Sequence, residues 1–173
     1  MFRKLMFAIL ILFVYVLQVT VFSTLSLGGI TPNLMIILTV LFALLRGDMA
    51  GLIVGFFCGL LNDVFWGDVL GFYAMTLMYI GFLAGKFNRI YYAEDIKLPV
   101  AIVSVSTLTY GIVCYIILFL MRGRLEFGYY FTKIILPEML YTVVITILIY
   151  PFILLVGKKF NVKGRRRRRR VVR

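Results

Sequence analysis

The sequence contains no histidine, only two cysteines and few charged residues, and each shortage excludes a class of chemistry. Without histidine, no imidazole is present to act as an acid, a base, or a metal or haem ligand. The two cysteines, Cys58 and Cys114, are too few for a four-cysteine zinc site or an iron–sulfur cluster. Both lie in apolar runs, which indicates small buried side chains and not a disulfide. We therefore expect no metal and no cofactor.

The shortage of charge is matched by an excess of hydrophobic residues. Of the 173 residues, 15% are charged and 63% are hydrophobic, whereas soluble domains contain about 25% charged and about 45–50% apolar residues. The mean hydropathy is +1.04. A chain of this size cannot bury so much apolar surface inside one water-exposed core. A soluble globular protein is therefore excluded, and the bilayer is the expected solvent.

Long apolar stretches separated by polar turns predict an all-α, polytopic membrane protein with six transmembrane helices. A spanning helix needs about 20 mainly apolar residues. The first stretch is too long for a signal peptide and has no small-residue cleavage site. The predicted spans are Leu5–Leu25, Asn33–Leu45, Met49–Asp63, Val69–Gly85, Leu98–Met121 and Lys133–Val156.

The second and third predicted spans are short for a bilayer. About 13 residues give roughly 20 Å of helix, against an apolar core of about 30 Å. They either extend into their flanks, lie where the membrane thins, or form a re-entrant pair. Two crossings are favoured, because a re-entrant pair would bring Arg46 and Asp48 to membrane depth. We place the start of the second helix at Thr31 and Pro32, a hydroxyl cap followed by proline at the first helical position.

The distribution of basic residues predicts that both termini face the cytoplasm (N-in/C-in). Cytoplasmic loops of membrane proteins are enriched in Lys and Arg. With this orientation, only Arg122, Arg124 and Lys133 of the 19 basic residues lie outside. We assign residues 1–157 to one transmembrane domain.

Residues 158–173 form a polybasic tail that we expect to be disordered, because its like charges repel and it has little to bury. Such a tail beside a membrane favours contact with anionic lipid. No aromatic or groove-reading element accompanies it, so no nucleic-acid partner is expected. The six consecutive arginines are Arg165, Arg166, Arg167, Arg168, Arg169 and Arg170.

Small residues recur at every fourth position in the third predicted span and again in the fourth. The positions are Gly51, Gly55, Gly59 and Asp63, followed by Gly81 and Gly85. This spacing places the small residues in a stripe along one face of the helix. Almost no side chain projects there, so another helix backbone can approach closely. Two roles are open: packing within the chain, or docking of a helix from another protein.

Two carboxylates, Asp63 and Glu138, lie near membrane depth and are functional candidates for that reason. Asp63 is equally explained as a cap of the fourth span. Glu138 follows Pro137 and either snorkels, pairs with a base such as Lys133, or lines a cavity. Lys133 and Glu138 are five residues apart, which is poor spacing for one face of an α-helix. The carboxylates are isolated in sequence and no nucleophile has a base partner, so catalysis is not favoured.

A longer pattern runs from the start of the second span to the end of the fourth. Its residues are Pro32, Asn33, Leu34, Arg46, Gly47, Gly51, Gly55, Gly59, Asp63, Gly67, Leu70, Gly71, Tyr73, Gly81 and Gly85. This pattern resembles the family of the rod shape-determining protein MreD. The six-arginine tail is not part of the resemblance.

The resemblance implies a non-enzymatic, multi-pass protein of the bacterial cytoplasmic membrane that acts in cell elongation. It implies helix–helix contact with MreC, a single-span protein with a periplasmic domain. Through MreC it implies indirect links to the synthase RodA, a class B penicillin-binding transpeptidase and MreB filaments. Such a protein maintains rod shape and directs lateral peptidoglycan synthesis. On this hypothesis the glycine stripe and Asp63 help to seat MreC.

The family is also similar in fold to the substrate-binding subunits of energy-coupling-factor transporters. The alternative function is therefore a membrane subunit that binds a vitamin-type small molecule. Those subunits carry an Ala-xxx-Ala pair in the first helix for docking on the coupling subunit. The first span here has a single alanine, Ala8, which disfavours transport.

Overall fold

The computed structural model describes residues 2–22, 24, 26, 29–67, 70–91, 96–120 and 127–151. These residues form six helices, which confirms the all-α prediction. The polybasic tail at 158–173 lies outside the described residues. The helices are α1 (Phe2–Leu17), α2 (Leu34–Arg46), α3 (Asp48–Trp66), α4 (Phe72–Lys86), α5 (Lys97–Cys114) and α6 (Phe127–Pro151).

Three of the helices contain stretches that are long and apolar enough to cross a membrane. These stretches are Asp48–Phe65, Lys97–Ile117 and Phe127–Pro151, and two shorter apolar helices cover Ala8–Phe22 and Leu34–Arg46. This supports a multi-pass membrane protein. Full crossing by all six helices, and the N-in/C-in orientation, stay predictions.

The centre of the bundle is α2, which is buried on every side. All its residues from Leu34 to Leu44 are buried, and it contacts α1, α3, α4 and α5. A helix that is apolar all round lies either inside protein or in lipid, and these contacts place α2 inside protein. Because protein encloses α2, its 13 residues need not match the bilayer thickness, which gives a physical reason for its short length.

The predicted start of α2 at Thr31 and Pro32 is wrong, and so is the predicted length of α3. The helix begins after Asn33, whose Oδ1 accepts the Ile36 N–H at 3.2 Å. Asn33 therefore takes the capping role that was assigned to Thr31, and Pro32 lies outside the helix. At the other end Gly47, with φ of +96°, makes a turn of one residue into α3. Helix α3 begins one residue before and ends three residues after the predicted Met49–Asp63, so with 19 residues, about 28 Å of helix, it is longer than the sequence predicted.

Three helices widen into π-helical turns at the same end of the bundle. The turns follow α1 at Gln18–Phe22, follow α5 at Tyr115–Leu120 and lie within α6 at Phe131–Ile135. In α6 the Leu136 N–H donates to the Phe131 carbonyl, five residues back. The wide turn ends just before Pro137, whose ring clashes with the carbonyl four residues back in a regular helix. Helix α6 begins at Phe127, six residues before the predicted Lys133, and continues through the π turn and the proline.

Candidate functional site

The glycine stripe of α3 lies directly against α4. A Cβ atom built on Gly51 would overlap the carbonyl oxygen of Gly81, and one built on Gly55 would overlap that of Leu77. A Cβ atom built on Gly59 would likewise overlap the carbonyl oxygen of Tyr73. These contacts involve backbone atoms, which cannot swing away as a side chain can. The α3–α4 approach therefore requires glycine at each of the three positions.

The glycines of α4 complete the contact from the other side. A Cβ on Gly81 would overlap the Gly51 carbonyl, and one on Gly85 would overlap backbone atoms of Asp48. Helix α2 also packs against the α3–α4 contact, because a Cβ on Gly55 would lie 3.0 Å from Cγ2 of Thr39. Both glycine stripes are thus covered by helices of the same chain. A partner helix that lay directly on either stripe would have to displace one of them.

Asp63 closes the α3–α4 pair at its far end. Its two carboxylate oxygens accept the backbone N–H groups of Tyr73 and Ala74, each at 2.9 Å, and the residue is only 1% exposed. Those N–H groups belong to the first turn of α4 and have no acceptor within the helix. The positive end of the helix dipole also favours a carboxylate there. The geometry thus gives Asp63 the capping role that the sequence left open.

A second polar cluster joins the start of α2 to α6, and Asn33 is its centre. The Asn33 backbone N–H donates to Oγ1 of Thr142 at 3.1 Å, and its side chain lies beside that of Glu138. Thr142 in turn donates to the Glu138 carbonyl at 2.7 Å. Inside a membrane, polar groups of this kind stabilise helix contacts because water does not compete for them. The structure places Glu138 towards the interior of the bundle, beside Asn33.

The first helix is tied to the same end of the bundle by Gln18. Its Oε1 accepts the backbone N–H of Met35 at 3.2 Å. The sequence analysis named neither Asn33 nor Thr142 as a site residue. The only available signal was the polar type of these residues within apolar stretches.

Beside the polar cluster lies a cavity of about 430 Å³, formed by segment 29–31 and by Tyr129, Lys133, Ile134 and Glu138. The sequence spacing made Lys133 and Glu138 unlikely to share a face of α6, and that interpretation is wrong. The π turn at Phe131–Ile135 increases the residues per turn, so positions five apart come to one side. An amine and a carboxyl group therefore line one cavity.

The predicted lipid-binding arginines lie outside the described residues. Their contact with anionic lipid therefore stays a prediction. The residues concerned are Arg165, Arg166, Arg167, Arg168, Arg169 and Arg170.

Comparison with known families agrees with the resemblance carried by the glycine and aspartate pattern. The family model of the rod shape-determining protein MreD matches residues 1–160. The match therefore covers all six helices and extends well beyond the stretch that suggested it. No curated protein and no solved structure matches the chain.

Proposed function

This chain belongs to the MreD family of rod shape-determining proteins, and from that premise we propose that it seats the transmembrane helix of MreC in the elongation complex. The family is non-enzymatic and located in the inner membrane. Its members determine rod shape, so the chain acts by contact and not by catalysis. The family match over residues 1–160 is the observation that carries the proposal.

The contact surface that we propose is the outer face of the glycine-packed pair α3–α4. On α3, Ile53, Phe57, Leu60 and Val64 are exposed and follow one another at intervals of three or four residues. At about 100° per residue this stripe lies opposite the glycine stripe centred on Gly55. The glycines then have an indirect role, because their close packing holds the outer face in position.

The partner that we propose for this surface is one apolar helix, which fits the single span expected for MreC. A stripe at this spacing is the pattern that a second helix packs against. Within the membrane, such packing depends on shape and on van der Waals contact. Through MreC the chain would reach RodA, the class B transpeptidase and MreB, and so direct lateral peptidoglycan synthesis.

Site-specific photo-crosslinking tests the contact surface. A photoreactive residue at Leu60 is expected to crosslink to MreC in living cells. The control is Leu148, a leucine on α6 that is more exposed than Leu60 and that we expect to give no crosslink. Crosslinking from Leu148 with none from Leu60 would refute the surface but leave the family function intact.

Depletion followed by microscopy tests the function itself. Rod-shaped cells are expected to become round as the protein is lost, and to recover when it is supplied again. Cells that stay rod-shaped after full depletion would contradict the proposal. Tight equilibrium binding of a labelled vitamin to the purified protein would instead support the transporter alternative.

A further inference from the structure

The cavity beside Glu138 carries an inference that goes beyond rod-shape function. It combines one amine, from Lys133, and one carboxyl group, from Glu138, with apolar walls from Ile30 and Ile134. Its volume of about 430 Å³ lies within the range of about 300–1,000 Å³ that is usual for small-ligand sites. We propose that it binds the headgroup of an aminophospholipid, with the lipid phosphate on Lys133 and the lipid ammonium on Glu138.

The charges in the cavity select a group that itself carries both signs. A lysine amine binds phosphate as a point charge. The side chain of Glu138 lies beside Asn33, but two carboxylate oxygens offer about four acceptor positions. It therefore retains capacity for an ammonium group. A purely anionic headgroup would satisfy Lys133 and leave Glu138 facing a negative charge.

The position of the cavity on α6 favours a lipid over a soluble zwitterion. Lys133 is exposed and lies seven residues, or about two helical turns, before the exposed Leu140. Val144 and Leu148 continue the same exposed apolar line down the helix. A headgroup in the cavity would thus place its acyl chains along this line. A soluble ligand would leave this exposed apolar line without a partner.

The local backbone is also built to bring the two charges together. The π turn at Phe131–Ile135 places Lys133 and Glu138 on one side of α6, and such turns occur frequently at functional sites. Thr142 accepts the Asn33 backbone N–H and donates to the Glu138 carbonyl. These bonds hold the backbone of α6 at Glu138 against the start of α2.

Lipid retention by the full-length protein tests the proposal. The protein is purified in detergent, incubated with phosphatidylethanolamine or phosphatidylglycerol, and examined by native mass spectrometry. We expect at least about tenfold tighter binding of phosphatidylethanolamine, a factor that corresponds to about 1.4 kcal/mol. Equal retention of the two lipids would overturn the proposal.

Two variants assign the charges to their roles. Lys133→Met is expected to weaken the binding of both lipids, whereas Glu138→Gln is expected to reduce phosphatidylethanolamine binding to the phosphatidylglycerol level. The matched control is Lys86→Met, which removes an exposed amine at the opposite end of the bundle. If Glu138→Gln does not fold, Lys133→Met decides the question. Equal effects of Lys133→Met and Lys86→Met would overturn the proposal.

A competition experiment separates a lipid from a soluble ligand with the same chemistry. Free glycerophosphoethanolamine is a phosphodiester with the same two charges and no acyl chains. We expect it to displace bound phosphatidylethanolamine only at a concentration at least about a hundredfold higher, because each buried methylene group of a lipid chain adds about 0.8 kcal/mol. Displacement at equal concentration would refute the assignment to a lipid.

Discussion

Replacing Asp63 with alanine removes the two acceptors that close the α3–α4 turn. The backbone N–H groups of Tyr73 and Ala74 would lose bonds of 2.9 Å at a site where Asp63 is 1% exposed. An unsatisfied buried donor costs about 1–3 kcal/mol, so two cost roughly 2–6 kcal/mol. The lost interaction with the helix dipole adds about 0.3–1 kcal/mol.

This loss should be visible as a lower melting temperature. For a chain of this size, 1 kcal/mol corresponds to about 2–4 °C, so Asp63→Ala should melt at least about 4 °C below the unmodified protein. Asp63→Asn keeps one acceptor oxygen, so its melting temperature should lie between those of Asp63→Ala and the unmodified protein. The measurement is the fraction of protein that elutes as a monodisperse peak from size-exclusion chromatography after heating in detergent.

Asp48→Ala provides the control for Asp63. Asp48 also accepts a backbone N–H, that of Met49 at 2.8 Å, but its side chain is exposed, and surface substitutions usually change stability by no more than about 0.5 kcal/mol. If Asp63→Ala melted no lower than Asp48→Ala, the cap would contribute nothing measurable and the reasoning would be refuted.

Two further predictions concern the glycine contact and a tyrosine pair. Gly55→Leu should lower the melting temperature and folded yield, since overpacking costs about 1–3 kcal/mol and the Leu77 carbonyl cannot move aside. Gly128→Leu, where a Cβ meets open space, should melt like the unmodified protein, and equal losses in both variants would contradict the α3–α4 contact. Tyr91→Phe removes a hydroxyl contact of 2.9 Å to Tyr150, and thermal melting should show a loss of about 0.5–1.5 kcal/mol. Burial raises the pKa of Tyr91 above its ordinary value of 10.0, so above about pH 10 the unfolded phenol ionises first and stability falls as pH rises. Between about pH 8 and about pH 11, the melting temperature should therefore fall less steeply for Tyr91→Phe than for the unmodified protein. Equal falls would show that Tyr91 does not contribute to the pH dependence of stability.

The structure also changes what a bulky substitution at Gly55 can report. If the glycine stripe itself seated MreC, Gly55→Leu would block docking on a correctly inserted protein. Because α4 covers Gly55, loss of MreC from this variant would follow from loss of the fold. Substitution of the outward-facing Leu60 tests docking without disturbing the glycine contact.

Composition and spacing by themselves determined the membrane solvent, the all-helical class, the family pattern and the presence of a close helix contact. These properties depend on the chain's own residues, because apolar content selects the solvent and a four-residue glycine repeat places the bare positions on one helix face. The longer α3 was missed because the polar Asp63 finds partners inside the bundle and does not end the helix. The start of α6 at Phe127 was also missed.

Only the tertiary structure decided which neighbour covers each face. Helical spacing shows that Gly51, Gly55 and Gly59 share a face. Apolar contacts are not directional, so the sequence does not identify which helix packs against that face. The bond from Asn33 to Thr142 joins residues 109 positions apart, and no local pattern predicts such a pair. The π turn before Pro137 likewise arises where α6 accommodates the proline, and it brings Lys133 and Glu138 into one cavity against the ordinary helical spacing.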